Sequence, residues 1–198
     1  MPRKPTAKPA AGKLIALDGA RSADLLRAGK RLLRELSEPK RRGGVSQWDA
    51  SGLFFQIGRG GGDLLDYPSP KTLVILYAAD LAFRLRWEIE PLRAEGKDVV
   101  AAPYVETGVG FGLAAGLDRE WLTGLFSFAP QADATYRLPK ASVLGKGAKP
   151  SGFVDHCLRT LAARPDPWKR TGVTRQLAEH LNQWGTAPHT AGAARRAR

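Results

Sequence analysis

The chain has 198 residues, 43% of them apolar, which suits one domain with a core of its own and room for a tail. It contains no run of about 18 apolar residues, so nothing is expected to span a membrane, and residues 1–12, rich in Lys, Pro and Ala, lack the apolar stretch of a secretory signal. The formal net charge of +12 gathers at the ends: Arg3, Lys4, Lys8 and Lys13 precede any acid, and Arg195, Arg196 and Arg198 sit in an Ala-rich tail, leaving about +5 for the body.

Cys157 is the only cysteine, which excludes an internal disulfide and fits a reducing cytoplasm. Residues 1–12 and 188–198 read as disordered basic tails around a domain at 13–187. Such tails attract polyanions without selectivity.

In chain order, residues 13–18 form a short buried strand that runs into a turn at Gly19. Residues 22–37 have helical periodicity, burying Leu25, Leu26, Leu32, Leu33 and Leu36 and facing Arg27, Lys30, Arg31 and Arg34 outward. Pro39 ends this helix, and Lys40-Arg41-Arg42-Gly43-Gly44 makes a basic turn. A second strand is expected at 45–48, an apolar run of open type at 53–57, and a Gly-rich loop at 58–63.

A long helix runs from Ser69 or Pro70 to about Glu95, with Leu73, Leu76, Tyr77, Asp80, Phe83, Arg84 and Trp87 on one broad face. Pro91 should kink or shorten its last turn. A buried strand follows at 98–101, then a segment loosened by Gly108, Gly110 and Gly112. Asp118 is a candidate N-cap for a helix through Phe128, and residues 134–138 read as a further strand. Residues 140–152 form a Gly/Lys/Pro loop, with helices at 152–162 and 171–184. Strands separated by helices predict an α/β fold, a mostly parallel sheet flanked by helices.

Strand, glycine turn and helix frame a nucleotide-binding phosphate loop, G-x-x-x-x-G-K-[ST]. Counted from Gly19, the second Gly, the Lys and the hydroxyl fall on Asp24, Leu25 and Leu26. The candidate site is therefore a degenerate phosphate-loop region of Asp18, Gly19, Arg21, Ser22 and Asp24. Arg21 could replace the missing ammonium, or be a solvated first-turn side chain. Lys30 reads as surface. Residues 145–152 resemble a phosphate loop in composition, but Pro150 favours a flexible loop.

Asp155-His156-Cys157 invites a catalytic reading, yet adjacent helical residues point about 100° apart. The three histidines, at 156, 180 and 189, form no metal-ligand spacing. The five tryptophans (48, 87, 121, 168 and 184) are scattered and suit packing.

One longer pattern is more specific. Leu76-Tyr77-Ala78-Ala79-Asp80-Leu81-Ala82, then Ile89-Glu90-Pro91-Leu92 and Gly96-Lys97-Asp98-Val99-Val100, precede Gly116-Leu117-Asp118-Arg119-Glu120-Trp121-Leu122. In order and content this resembles thymidylate kinases, P-loop NTPases with an "A-A-D-R" helix ending in "I-x-P-x-L", a strand ending in "D-R-Y", and "G-L-D-R-E-W-L". The resemblance spans roughly residues 13–138. Relative to that family, "D-R-Y" falls on Ala102-Pro103-Tyr104, the Arg of "A-A-D-R" on Leu81, and the Arg-rich lid on Leu138-Pro139-Lys140-Ala141-Ser142-Val143.

The resemblance implies a kinase-like scaffold, paired as a homodimer through its helices. The altered positions imply a non-catalytic interaction module that needs no cofactor and serves an unknown protein partner. The alternative is a divergent nucleotide binder or weak dTMP kinase using Mg-ATP, with Arg84, Trp87 and Tyr104 in a substrate cleft. Under the first view Arg84 is an exposed salt-bridging side chain. A third reading is a polyanion binder using the basic ends and the 140–149 loop.

Overall fold

The computed structural model describes residues 10–19, 22–59 and 68–138, and for Ser22, Ala23 and residues 57–59 the backbone alone. The two helices and the loop expected beyond residue 138, the C-terminal tail and Arg21 lie outside the described residues.

Four strands form one sheet: β1 (Leu14–Asp18), β2 (Arg42–Gln47), β3 (Asp98–Ala102) and β4 (Ala134–Arg137). Their order is β2-β3-β1-β4 and every pairing is parallel. The parallel, helix-flanked α/β sheet expected from the sequence is therefore present. Strand side chains alternate between the two faces, as the period of two requires. Leu14, Ala16, Val99 and Ala101 point into one core, while Ile15, Leu17, Val100 and Ala102 point into the other.

Helix α1 (Ser22–Leu36) covers the second face, burying Leu25 and Leu33 against β2 and β3. A 3-10 turn at Pro39–Arg41 follows, and β2 begins at Arg42, three residues before the expected start. The basic turn thus enters the fold. Arg42 Nη2 donates to the Arg34 carbonyl at 2.8 Å and its Nε to the Ser37 carbonyl at 3.1 Å, satisfying carbonyls at the end of α1.

The apolar run after β2 is helical, α2 (Leu53–Arg59), and it takes in Gly58 and Arg59, which the sequence assigns to a loop. Phe54 is buried in the first core, and its ring lies 5.1 Å from that of Trp48.

The first core lies under α3 (Pro70–Arg84), a π-helical turn at Leu85–Ile89 and α4 (Glu90–Ala94), a nearly continuous helix. Ser69 caps it by accepting from the Thr72 N–H. Pro91 has no N–H to give, and the backbone just before it widens into the π turn, where the Glu90 N–H reaches back to the Leu85 carbonyl. The disturbance expected at Pro91 is therefore found one turn earlier, and the helix continues past it.

The glycine-rich stretch after β3 is an ordered helix, α5 (Val105–Ala114), rather than a loosened segment. Its glycines permit close packing. A Cβ on Gly108 would sit 2.6 Å from the Phe126 ring and 2.7 Å from that of Tyr77, and one on Gly112 would sit 2.5 Å from Leu122. Helix α6 (Arg119–Leu125) has the expected Asp118 cap and ends at Leu125, one turn short of Phe128. No described helix is long and apolar enough to cross a membrane.

Candidate functional site

In an open parallel sheet, ligands bind beyond the carboxyl ends of the strands, where successive connections leave in opposite directions. Here that position lies between β1 and β3. It is bounded by Asp18-Gly19 on one side and by Ala102-Pro103-Tyr104, with a cis peptide before the proline, on the other.

Asp18 is fully buried. Its Oδ1 accepts from the Tyr104 N–H at 2.8 Å, the Thr107 N–H at 3.0 Å and the Thr107 hydroxyl at 2.8 Å. Gly19 N–H, just beyond the end of β1, gives its hydrogen bond to Thr107 Oγ1 at 3.2 Å. Oδ2 of Asp18 has no hydrogen-bond partner among the described residues. Burial pushes the Asp18 carboxyl up to about 6, against the opposing pull of Thr107 and the Tyr104 N–H, and the Glu106 charge adds to the rise.

Leu25, at the position that spacing assigns to the phosphate-loop lysine, is 1% exposed and packs with Ile15, Leu17, Leu33, Val100 and Ala102. Its side chain also lies against Gly19, where a Cβ would come within 3.3 Å of Cδ2. Asp24 faces outward and stands 3.8 Å from Arg27. Ser22 opens α1, and Arg21 lies outside the described residues.

At the neighbouring end of β4, Arg137 forms a two-point pair with Glu106, with Nη2–Oε1 at 2.8 Å and Nε against Oε2. Its hydrogen bond with Glu106 raises the guanidinium's proton affinity. Asp18, Glu106 and Arg137 together leave this edge one negative charge in excess, and its cation is already engaged.

Of the proposed cleft residues, the structure brings Tyr104 next to Asp18 and places Arg84 in the same interior, but not Trp87. Tyr104 is 4% exposed, and its hydroxyl donates to the Pro130 carbonyl at 2.6 Å. Burial raises its phenol well above the ordinary value. Its carbonyl accepts the hydroxyl of buried Tyr77. Arg84 is not the exposed salt-bridging side chain that the first view expected. It is fully buried, with Nε on Ser46 Oγ and Nη2 on the Ser46 carbonyl, both at 2.9 Å, and Ser46 Oγ donates to Glu88 at 2.6 Å. Its Nη1 has no hydrogen-bond partner among the described residues.

Trp87 is 64% exposed, with the Arg86 guanidinium 5.5 Å from its ring centre. The broad face expected for this helix is narrower than drawn: Phe83 and Trp87 fall on the solvent side of Tyr77, Asp80 and Arg84.

Sequence reasoning passed over Thr107 as the bridge between Asp18 and Gly19. Asp80 was noticed, and its contacts give it a role. It is buried and accepts from the Asp49 N–H, the Ser51 N–H and the Ser51 hydroxyl at 2.7–3.0 Å, fixing the turn that carries Asp49 at positive φ into α2. An acid among the apolar positions 73, 77 and 81 was the available signal. Among the described residues, no group of three or more His, Cys, Asp or Glu is placed to hold a metal ion.

The Asp18 geometry has a pH consequence. A carboxyl whose folded value is about 6 against 3.8 unfolded keeps its proton longer in the folded state. Its contribution is fully present below pH 4 and is lost as pH rises toward 6. The loss amounts to about 3 kcal/mol at roughly 1.4 kcal/mol per pH unit. Urea unfolding at a series of pH values should show Asp18→Asn lacking this fall, and parallel curves for the two proteins would contradict the assignment.

No family model matches the chain. It is similar to the probable thymidylate kinase of Pyrobaculum aerophilum, 35% identical over 66 residues, covering 33% of this chain and 34% of the relative. It is also similar to the probable thymidylate kinase of Pyrococcus horikoshii, 39% identical over 59 residues, covering 30% and 29%. The matches cover about a third of the length of these curated relatives. Together with the four parallel strands and flanking helices, the likeness is that of an α/β P-loop kinase-like fold, related to thymidylate kinases over the matched part.

Proposed function

We propose that this chain is a thymidylate kinase-like scaffold that no longer transfers phosphate and works as a non-catalytic interaction module inside the cell. The observation that carries this reading is Leu25. It occupies the lysine position of the phosphate loop and is packed into the core between α1 and the sheet. Two further features support it. The Gly19 N–H is taken by Thr107, and the charge beside it is a buried carboxylate rather than a cation.

Phosphoryl transfer depends on positioning and on neutralising the charge of the phosphates, and removing one such group costs a factor of about 10²–10³. The described residues at this edge do not fit Mg-ATP, because they offer neither a free ammonium nor a free backbone donor at Gly19. One observation favours the alternative of a divergent nucleotide binder. The buried Arg84 guanidinium keeps Nη1 without a described partner, and a phosphate oxygen could meet it if the interior opened.

Titration calorimetry of the full chain with dTMP and with Mg-ATP, using sulfate as the anion control, should show no saturable micromolar binding of either nucleotide. Saturable binding, absent for sulfate and lost in Arg84→Gln, would overturn the non-catalytic reading in favour of the nucleotide binder.

The exposed side of α3 and the π turn suits the expected homodimer. Ile75, Phe83 and Trp87 are 45%, 39% and 64% exposed there, with exposed Ala79 and Ala82 between them leaving room for a second helix. Sedimentation velocity should find a dimer that Phe83→Asp/Trp87→Asp converts to monomer. An unchanged sedimentation coefficient in the variant would remove this face from the interface.

A further inference from the structure

The cations of this chain divide into those with structural work and those without. Arg42 satisfies the end of α1, Arg84 holds Ser46, and Arg137 holds Glu106. Arg93 bonds the Gly12 carbonyl and Glu90, Lys97 bonds the Lys40 carbonyl, and Arg41 reaches the Ala11 carbonyl and Asp98.

Of the described cations outside these hydrogen bonds, Arg27, Lys30, Arg31, Arg34 and Lys40 fall on α1 and the turn after it, while Lys13, Lys71, Arg86 and Arg119 are spread over other elements. Residues 22–42 carry Arg27, Lys30, Arg31, Arg34, Lys40, Arg41 and Arg42 against Asp24, Glu35 and Glu38, a balance of +4. The other described residues carry nine cations and eleven acids, a balance of −2. Charge is thus asymmetric across the sheet: basic on the α1 side, slightly acidic elsewhere.

The geometry of α1 turns this balance into a surface. Arg27, Lys30, Arg31 and Arg34 stand at i, i+3, i+4 and i+7, a single stripe on the side away from the buried Leu25 and Leu33. Arg27 is 83% and Arg31 66% exposed, and their ion partners among the described residues are helical neighbours at 3.8 and 3.5 Å. Exposed pairs of this kind contribute about 0–1 kcal/mol and give way readily to a better anion. Lys30, Arg34 and Lys40 are exposed and form no ion pair with a described residue.

At about 1.5 Å per residue the stripe is about 10 Å long, matching roughly three phosphates along one nucleic-acid strand. The chain also enters the fold near this element. Ala11 lies against Arg41, and the sequence before it adds Arg3, Lys4 and Lys8 with no acid.

We propose that the outer face of α1, with Lys40 beside it, is a docking surface for the sugar-phosphate backbone of nucleic acid, read by charge and not by base sequence. The surface lies on the α1 side of the sheet rather than at the carboxyl ends of the strands, so it stands independently of whether a nucleotide binds there. Lys and Arg that neutralise phosphates displace condensed counterions, and binding then weakens steeply with salt.

Fluorescence anisotropy of the full chain with a labelled oligonucleotide of about 20 bases, at about 50 to 200 mM salt, tests this. Lys30→Gln/Arg34→Gln should weaken binding at every sequence tried and lower the slope of log K on log salt by about 2. Gln keeps a good helix propensity, and circular dichroism reports whether α1 is intact. Lys71→Gln/Arg119→Gln, which removes the same charge from the α3 and α6 side, should leave affinity unchanged. Four results would overturn the proposal: no binding at the lowest salt, equal losses in both double variants, full affinity in the α1 variant, or α1-dependent binding to anionic phosphatidylglycerol vesicles but not to the oligonucleotide.

Discussion

The hydrogen bonds to Asp18 set the layout of the whole carboxyl-end edge. One carboxylate oxygen collects the Tyr104 N–H, the Thr107 N–H and the Thr107 hydroxyl, tying the end of β1 to the start of α5 across the point where the sheet's connections diverge. A buried carboxylate is costly unless it is bonded in this way. Once Thr107 is held by Asp18, its oxygen also takes the Gly19 N–H. Gly19 is thereby tied to α5, and Leu25 on the first turns of α1 packs against it. Tyr77 and Tyr104 extend the same network outward to Pro130, and Arg84 secures β2 through Ser46. At Gly19 the backbone N–H is taken by an internal bond, and the Leu25 side chain packs against the same residue.

Much of the scaffold was legible because it rests on short-range regularities. The apolar run of Leu14 to Leu17, the periodicity of α1 and the Asp118 cap each depend on residues close in sequence, and each element is found near its expected bounds. Elements whose form depends on distant contacts were misread. The three glycines after β3 look like a breaker until Tyr77, Phe126 and Leu122 are seen against them, where only hydrogen fits. Arg42 and Gly43 read as a turn, yet the first caps α1 and the second passes close to the Asp98 carbonyl.

At the candidate site, counting along the chain named residues but not their contacts. Counting from Gly19 gave Asp24, Leu25 and Leu26, and the structure adds that one faces solvent while Leu25 is core. Arg84 is buried rather than the exposed salt-bridging side chain of the first view, since its helical position could not reveal Ser46 and Glu88 across the gap. Trp87 failed for a geometric reason: it shares an element with Arg84 but lies on the solvent side. Net charge was the least informative signal until the structure separated capping and bridging cations from the stripe on α1.

Leu25→Lys tests the central claim, that the phosphate-binding position has become part of the core. It restores the residue that a phosphate loop would use, so equilibrium unfolding and Mg-ATP calorimetry on the same variant read both sides of the question. The account predicts a loss of about 3 kcal/mol or more, from lost burial and an ammonium facing apolar neighbours, with no gain of Mg-ATP binding. A variant of unchanged stability that acquires saturable Mg-ATP binding would contradict it.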